Sequence, residues 1–439
     1  MAENPNSSVR RPDPGRLTKE LRDPASRPDV NRIHFVPGTV GPEIVGGDGC
    51  WLLTADGRRI LDGAGGAIVA NIGHGRAEIA DAVRDAMAGG AYVVPIWPTP
   101  HRERLHDILV DRWLPDGMGH VFFTSGGSES ADSAIRLAHA YHLACGRPER
   151  WKVIGRHPSY HGLTFGALAA GSHHNRRKGF EPLLLDFPHV PWDDAAALEE
   201  TIEREGADTI AGFLFEPITG AAGGCLIPSD DYWRAVTAIC RRHGVLMIAD
   251  EVMTGFGRTG TRWGFEHFPL QPDILYGGKG LGGGYVPMGM VAATDEIVDA
   301  LRGSGFMFFT FTGADAMCAG AAAVLDVIDR EHLVERSEAI GDVLAGRLEE
   351  ALGGHPAVVE LRGRGMFRGV ELRASGGALA ASVVRECMAR DLWVYPAGSG
   401  VPPVTDAIMI GAPLTITEPE VDELVDRLAA AIDAAAAHA

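Results

Sequence analysis

One lysine stands out by its neighbours. Lys279 lies in Asp273-Ile274-Leu275-Tyr276-Gly277-Gly278-Lys279-Gly280-Leu281-Gly282-Gly283-Gly284, just after a short apolar run and among six glycines. An ammonium held by small residues beside apolar groups loses hydration. Its pKa falls, and the neutral amine becomes a nucleophile able to form a Schiff base. Arginine supplies nearly all of the 40 basic side chains, and only Lys19, Lys152, Lys178 and Lys279 are lysines. The bland alternative is a solvated lysine in a glycine loop. A P-loop is excluded, because Gly280 follows the lysine where a Ser or Thr is required.

Two other stretches carry complementary chemistry. In Phe122-Phe123-Thr124-Ser125-Gly126-Gly127-Ser128-Glu129-Ser130 a strand runs into a glycine pair, a hydroxyl and the first turn of a helix. Free N–H groups and the helix dipole at such a start bind phosphate, and glycine lets the anion approach the backbone. The competing reading makes Ser128 an ordinary N-cap with Glu129 in the first turn. A hydrolase elbow G-x-S-x-G misses by one residue, Ser130. Ile248-Ala249-Asp250-Glu251-Val252 puts Asp250 at the carboxyl end of a buried strand, the edge where open α/β sheets bind ligands. Its competing reading is a cap or an arginine partner. Together these groups match the three needs of pyridoxal phosphate: a phosphate anchor, a carboxylate for the ring nitrogen and an amine for the aldehyde. Spacing alone does not bring the three together. His157 and His161 are four apart, but Pro158 breaks the helix that would pair them, and further ligands are missing, so no metal site is expected.

The elements that must position these groups alternate. Strand runs are read at Val121–Phe123, Lys152–Ile154, Ile210–Phe215, Val245–Ala249, Ile274–Tyr276 and Met288–Ala292, with helices at Ala131–Tyr141 and Tyr232–His243. Strands apolar on both faces, separated by helices, indicate an α/β protein with a mostly parallel sheet covered on both sides. Earlier in the chain, Asp56-Gly57 between apolar runs signals a hairpin, and apolar spacing predicts a helix from Arg76 to Met87. The end of the chain reads as a smaller α+β lobe. Its helices are at Ala319–Ile328, Ser337–Ala351 and Glu418–Ala437, with strands near Gly369–Leu372 and Ile408–Ile410.

Composition narrows the class. The 439 residues carry a formal net charge of -18, which argues against nucleic acid or an anionic membrane as partner. No run of 18 apolar residues exists, so no transmembrane helix is expected. The polar stretch Met1–Arg32 lacks a signal-peptide core, which makes a cytoplasmic enzyme the default, with residues 1–30 a tail or a strap on another subunit. The six scattered cysteines form no C-x-x-C and are expected to be reduced and buried.

These motifs, with others in the same order, resemble the class III aminotransferases, fold-type I pyridoxal-phosphate enzymes that include ornithine, 4-aminobutyrate and omega-amine transaminases. The resemblance runs from about Phe35 to Leu428. It is carried by Ser125–Glu129, Tyr160-His161-Gly162, Glu216-Pro217, the run Asp250 to Gly260, Lys279–Gly284 and Phe309-Thr310. It implies a large domain with a seven-stranded, mostly parallel sheet at 61–315 and a small α+β domain at 316–439. Residues 1–60 would join the small domain. It further implies that Lys279 bonds the cofactor and shuttles the proton, that Asp250 partners the pyridine nitrogen, and that Val252 and Tyr160 cover the two ring faces. Gly127 and Ser128 would hold the phosphate, and His161 belongs to the tyrosine turn. Glu216 matches an acid near the cofactor. Thr310, with Phe309, would come from the neighbouring subunit of a homodimer.

The chain departs from the family where substrates are held. Leu163 and Met409 stand where ornithine- and 4-aminobutyrate-type members place arginines, Ala221 stands where an acid parks one of them, and Gly400–Val404 lacks the mobile arginine of omega-amine members. Ile68 stands where an aromatic is common, and Trp97 and Tyr92 fall near the expected entrance. Ala314-Asp315 replaces the usual Asn/His-Pro. A buried carboxylate without an arginine is costly. The expected reaction therefore moves an amino group from an amino acid, glutamate or alanine, to an aldehyde or ketone without a carboxylate at the usual place. An amino-sugar or other secondary-metabolite intermediate would fit. Arg102, Arg258, Arg262 and Arg364 are candidates for the donor carboxylate. The alternative is a mutase, racemase, decarboxylase or dehydratase on the same fold.

Overall fold

The computed structural model describes residues 41–90, 92–303, 308–373 and 379–437. The tail or strap read at 1–30 lies outside the described residues, as does the start of the resemblance at Phe35. The strands, in chain order, are β1 (Ile44–Asp48), β2 (Trp51–Thr54), β3 (Arg59–Asp62), β4 (His120–Thr124), β5 (Lys152–His157), β6 (His189–Pro191), β7 (Ile210–Phe215) and β8 (Leu246–Asp250). They continue with β9 (Ile274–Gly277), β10 (Gly289–Ala293), β11 (Val358–Arg364), β12 (Phe367–Leu372), β13 (Leu392–Trp393), β14 (Tyr395–Ala397) and β15 (Asp406–Ile410).

The central sheet has seven strands in the order β4-β10-β9-β8-β7-β5-β6. β5, β6, β7, β8 and β9 run parallel, and β10 runs antiparallel to both its neighbours. β7 and β8 are buried at every residue. That is the expected outcome for apolar runs covered on both faces. One face packs under helix Gly127–Ala144, where Ala131, Ala134 and Ala138 meet Ile248, Ile274 and Val291. The opposite face joins the larger core through Phe213, Phe215, Met247 and Leu275. Helix Asp230–His243 feeds β8 cleanly. Ser229 caps its start by accepting the Tyr232 N–H at 3.1 Å, and Gly244 ends it at φ 63°.

Two four-stranded sheets flank this body, in the orders β1-β2-β3-β13 and β11-β12-β15-β14. The Asp56-Gly57 hairpin forms as expected between β2 and β3. Helix Ala77–Gly89 lies within a residue or two of its predicted span. One strand lies outside the runs read from the sequence, and two readings are corrected, the competing cap role of Ser128 and the burial of Cys145. β6 is a three-residue strand ending in Pro191, too short to register as an apolar run. Ser128 does not cap its helix: Gly126 precedes the first turn, and Ser128 is the second helical residue. Cys145, expected buried, is exposed because its helix ends one residue earlier, at Ala144.

Candidate active site

The carboxyl ends of neighbouring strands converge. β8 ends at Asp250, and β9 leads through Gly278 to Lys279. β4 leads through Ser125-Gly126 into helix Gly127–Ala144. The turn after β5 brings Tyr160, His161 and Gly162, and Glu216 follows β7. All of these residues, except the two at Ser125-Gly126 and Gly278, border one cavity of about 150 Å³, with Val252 on its wall. The three groups that spacing could not bring together are therefore brought together by the sheet order.

Asp250 is fixed at both oxygens. His161 Nδ1 donates to Oδ2 at 2.7 Å, and the Val252 N–H donates to Oδ1 at 3.0 Å. Tyr276, fully buried and opposite Asp250 in the β8–β9 register, places its hydroxyl 3.3 Å from the same His161 nitrogen. Burial, then the Asp250 charge, pushes the Tyr276 pKa well above its ordinary value of 10.0. The phenol thus stays protonated beside the carboxylate. Glu216 accepts the Tyr160 N–H at 3.0 Å and the Gly220 N–H at 2.9 Å, while desolvation raises its pKa.

Lys279 occupies a left-handed backbone conformation, φ 41°, between two glycines. A non-glycine residue held there costs roughly 1–3 kcal/mol, strain that clusters at functional sites. The close packing of Gly280, whose added Cβ would lie 2.5 Å from Asn71 Nδ2, shows why glycine surrounds it. Desolvation lowers the Lys279 pKa from 10.5 to about 8, with the charges of Asp250 and Glu216 acting the other way. A lowered pKa is the direction its glycine setting suggested.

The anion-binding end rests on the start of an 18-residue helix with no side-chain cap at Gly126. The Ser128 hydroxyl accepts the Leu163 N–H at 3.1 Å, so the tyrosine turn is tied to the helix start. A Cβ on Gly127 would lie 3.0 Å from Val252 Cγ1, and one on Gly162, at φ 134°, would lie 2.4 Å from Ser128 Oγ. Glycine at both positions keeps the cradle open. The amine, the carboxylate and the bare helix start in one small cavity fit the three functional ends of pyridoxal phosphate.

Other sequence candidates lie elsewhere. Ile68 is fully buried at φ 60°, against Gly411. Met409 is fully buried in β15 opposite Gly369 and Tyr395, and Ala221 is buried. Leu163 and Trp97 are exposed, at 55% and 62%. Phe309 and Thr310 do not border the cavity; Phe309 packs its ring 6.5 Å from that of Phe122. His157 lies near Pro402 O and Ser172 Oγ, not on a helix, and no cluster able to hold a metal occurs among the described residues. Arg258 and Arg102 are committed to backbone carbonyls, Arg364 lies over the Phe268 ring, and Arg262 is exposed. Sequence reading missed Tyr276, whose link to Asp250 follows only from cross-strand register. It also missed Arg176, which lies over the Tyr160 ring.

Comparison with known proteins gives a consistent picture. A family model described as aminotransferase class-III matches residues 40–432. An uncharacterized aminotransferase of Bacillus subtilis strain 168, YhxA, is 36% identical over 86% of this chain and 89% of its own length. The putrescine–pyruvate aminotransferase of Pseudomonas aeruginosa is 31% identical, over 89% of this chain and 90% of its own. Among solved structures, a thermostable (S)-enantioselective omega-transaminase from Thermomicrobium roseum superposes with a TM-score of 0.86 at 35% identity. That match covers 92% of this chain and 96% of the other.

Proposed function

The chain belongs to the class III aminotransferases, which work with pyridoxal phosphate, and from that premise we propose which residues, substrates and assembly carry amino-group transfer here. Lys279 bonds the cofactor aldehyde. Asp250 would partner the ring nitrogen, Val252 and Tyr160 would cover the ring faces, and Gly127 and Ser128 would hold the phosphate at the helix start. His161 holds Asp250, and Glu216 holds the Tyr160 turn. The observation that carries this assignment is the single cavity of about 150 Å³ bordered by Lys279, Asp250 and the first residues of helix Gly127–Ala144.

When bound, the cofactor supplies a sink for the electron pair left as the donor Cα–H bond breaks. The chain does the rest. Lys279 Nζ, its pKa lowered to about 8, would be the base that takes the donor Cα proton and returns it on the cofactor side. Asp250, whose two oxygens accept the His161 and Val252 N–H groups, would partner the ring nitrogen. The acceptor reverses these steps.

The donor is an amino acid, glutamate or alanine, and the acceptor an aldehyde or ketone without a carboxylate at the usual place, such as an amino-sugar or other secondary-metabolite intermediate. Met409 and Ala221, apolar and buried where an arginine and its acid are expected, support this. A relative named for putrescine and pyruvate pairs the same two kinds of partner in the opposite direction, a carboxylate-free amine with a keto acid. The working unit is a cytoplasmic homodimer, its large domain at 61–315 and small domain at 316–439, with Phe309 and Thr310 completing the partner's site. Exposed apolar side chains near that segment support the dimer: Tyr92 lies 6.3 Å from Phe311, and Ile96 and Phe308 line one surface cavity. Among the described residues no helix is long and apolar enough to cross a membrane.

The test mixes cofactor-loaded protein with alanine or glutamate and a panel of carboxylate-free aldehydes and ketones. Keto acid and aminated product should form in equal amounts. Preferred turnover of 4-aminobutyrate or ornithine, or keto acid without aminated product, would overturn the reading.

A further inference from the structure

A carboxylate entering this site needs a cation close to Lys279 with donors to spare. Two guanidinium charges oppose protonation of Lys279, those of Arg176 and Arg258. Arg258 is fully buried and already committed, to Ala412 O at 2.6 Å, Asn71 Oδ1 at 2.6 Å and Met366 O at 3.1 Å. Arg156, also fully buried, is committed to Trp192 O, Glu216 O and Thr219 Oγ1. Arg176 differs from both. Its guanidinium lies 4.6 Å from the centroid of the Tyr160 ring, and Tyr160 borders the cavity. All three leave a buried Nε without an acceptor, but only Arg156 and Arg258 have their terminal nitrogens hydrogen-bonded; among the described residues the Arg176 side chain has no hydrogen bond or ion pair. A guanidinium half out of water with five donors and no acceptor is costly, and a carboxylate answers it in a planar two-bond fit.

The surroundings lead to the same place. The Gly400–Val404 loop, which lacks an arginine of its own, closes against the helix that carries Arg176. A Cβ on Gly400 would lie 2.4 Å from Asn175 Nδ2, on the residue next to Arg176. His173, edge-on to Tyr160 at 6.0 Å, adds no competing charge, because burial lowers its pKa to about 4.

We propose that Arg176 is the specificity-determining residue that receives the α-carboxylate of the amino-acid donor and of the keto acid it becomes. This rests on the amino-transfer reading above. The decisive comparison uses L-alanine and isopropylamine, which differ only in a carboxylate replaced by a methyl group. In the donor half-reaction of the holoenzyme, followed by cofactor absorption, Arg176→Met should lower kcat/KM for alanine on the order of 100-fold and leave isopropylamine unchanged. Arg176→Lys should restore part of the loss, and Lys178→Met, an exposed neighbour, should change neither donor. Calorimetry with propanoate, which carries the carboxylate and no amine, should show binding to the wild-type holoenzyme and none to Arg176→Met. Equal losses on both donors, or unchanged alanine kinetics and propanoate binding, would overturn the proposal. If the wild type transfers from neither donor, the amino-transfer reading fails, and propanoate binding still decides whether Arg176 receives a carboxylate.

Discussion

Replacing Gly162 with alanine tests whether the tyrosine turn and the helix start form one cradle. Gly162 sits at φ 134°, where a residue with a Cβ costs roughly 1–3 kcal/mol. The added carbon would lie 2.4 Å from Ser128 Oγ, 2.9 Å from its Cβ and 3.0 Å from its Cα, so turning the hydroxyl aside does not relieve the clash. If Ser128 retreats, the 3.1 Å bond from the Leu163 N–H is lost, a further cost of about 1 kcal/mol. Gly162→Ala should therefore cost about 2–4 kcal/mol. Two measurements divide that cost: urea unfolding of the apoenzyme, and pyridoxal-phosphate affinity by equilibrium dialysis. A turn that stays in place shows the cost as lost stability. A turn that swings away shows it as affinity weakened about 30- to 700-fold, on the scale of 1.4 kcal/mol per factor of ten. Ser128→Gly in the same chain removes two of the three close atoms and should recover part of whichever loss is seen. Unchanged stability together with unchanged affinity would refute the geometry from which the cradle is argued.

Three other outcomes are expected. Borohydride reduction followed by mass spectrometry should find a cofactor adduct on the wild type at Lys279 and none on Lys279→Ala; an adduct elsewhere would move the reactive amine. Because desolvation lowers the Lys279 pKa from 10.5 to about 8, the neutral amine is scarce below that pH and abundant above it. Stopped-flow capture of pyridoxal phosphate by apoenzyme, from about pH 6.5 to 9.5, should speed up with rising pH and level off above about 8, whereas a midpoint near the ordinary lysine value would contradict the burial argument. Arg258→Met leaves Asn71 Oδ1, Met366 O and Ala412 O without their buried donor and should destabilise the protein by about 2–5 kcal/mol in urea unfolding; a loss under about 0.5 kcal/mol would mean water replaces those bonds.

Much of the site was legible because its parts announce themselves locally. Gly277 to Gly284 declare a crowded backbone around Lys279, and the apolar run before Asp250 declares a buried strand end. Those signals need no knowledge of the partners across space. β7 and β8 were legible for the same reason, since both faces are apolar. β11 was not: it reads Val-Val-Glu-Leu-Arg-Gly-Arg and has no fully buried residue, so no apolar alternation marks it. Ser128 was placed correctly at a helix start, but its competing reading as the N-cap fails, because capping preference cannot foresee an N–H from Leu163 reaching its hydroxyl. Arg176 was invisible among many arginines; what marks it is a guanidinium without a side-chain hydrogen bond over a ring that borders the cavity, and that juxtaposition is a property of the folded chain.

The antiparallel strand β10 has a geometric consequence. It is wedged between β4, which leads to the proposed phosphate site, and β9, which leads to the proposed cofactor lysine, with Met290 opposite Phe123 on one side and Gly277 on the other. Neighbouring strands stand about 4.8 Å apart, so the span from anion anchor to amine is metered at two strand widths, about 10 Å. Gly289 fits there only because it has no side chain: a Cβ would lie 2.4 Å from Thr124 Oγ1 and 2.5 Å from Ser130 Oγ. A bulkier residue at that one position would pry the gauge open and leave every group that touches a ligand intact but mis-spaced.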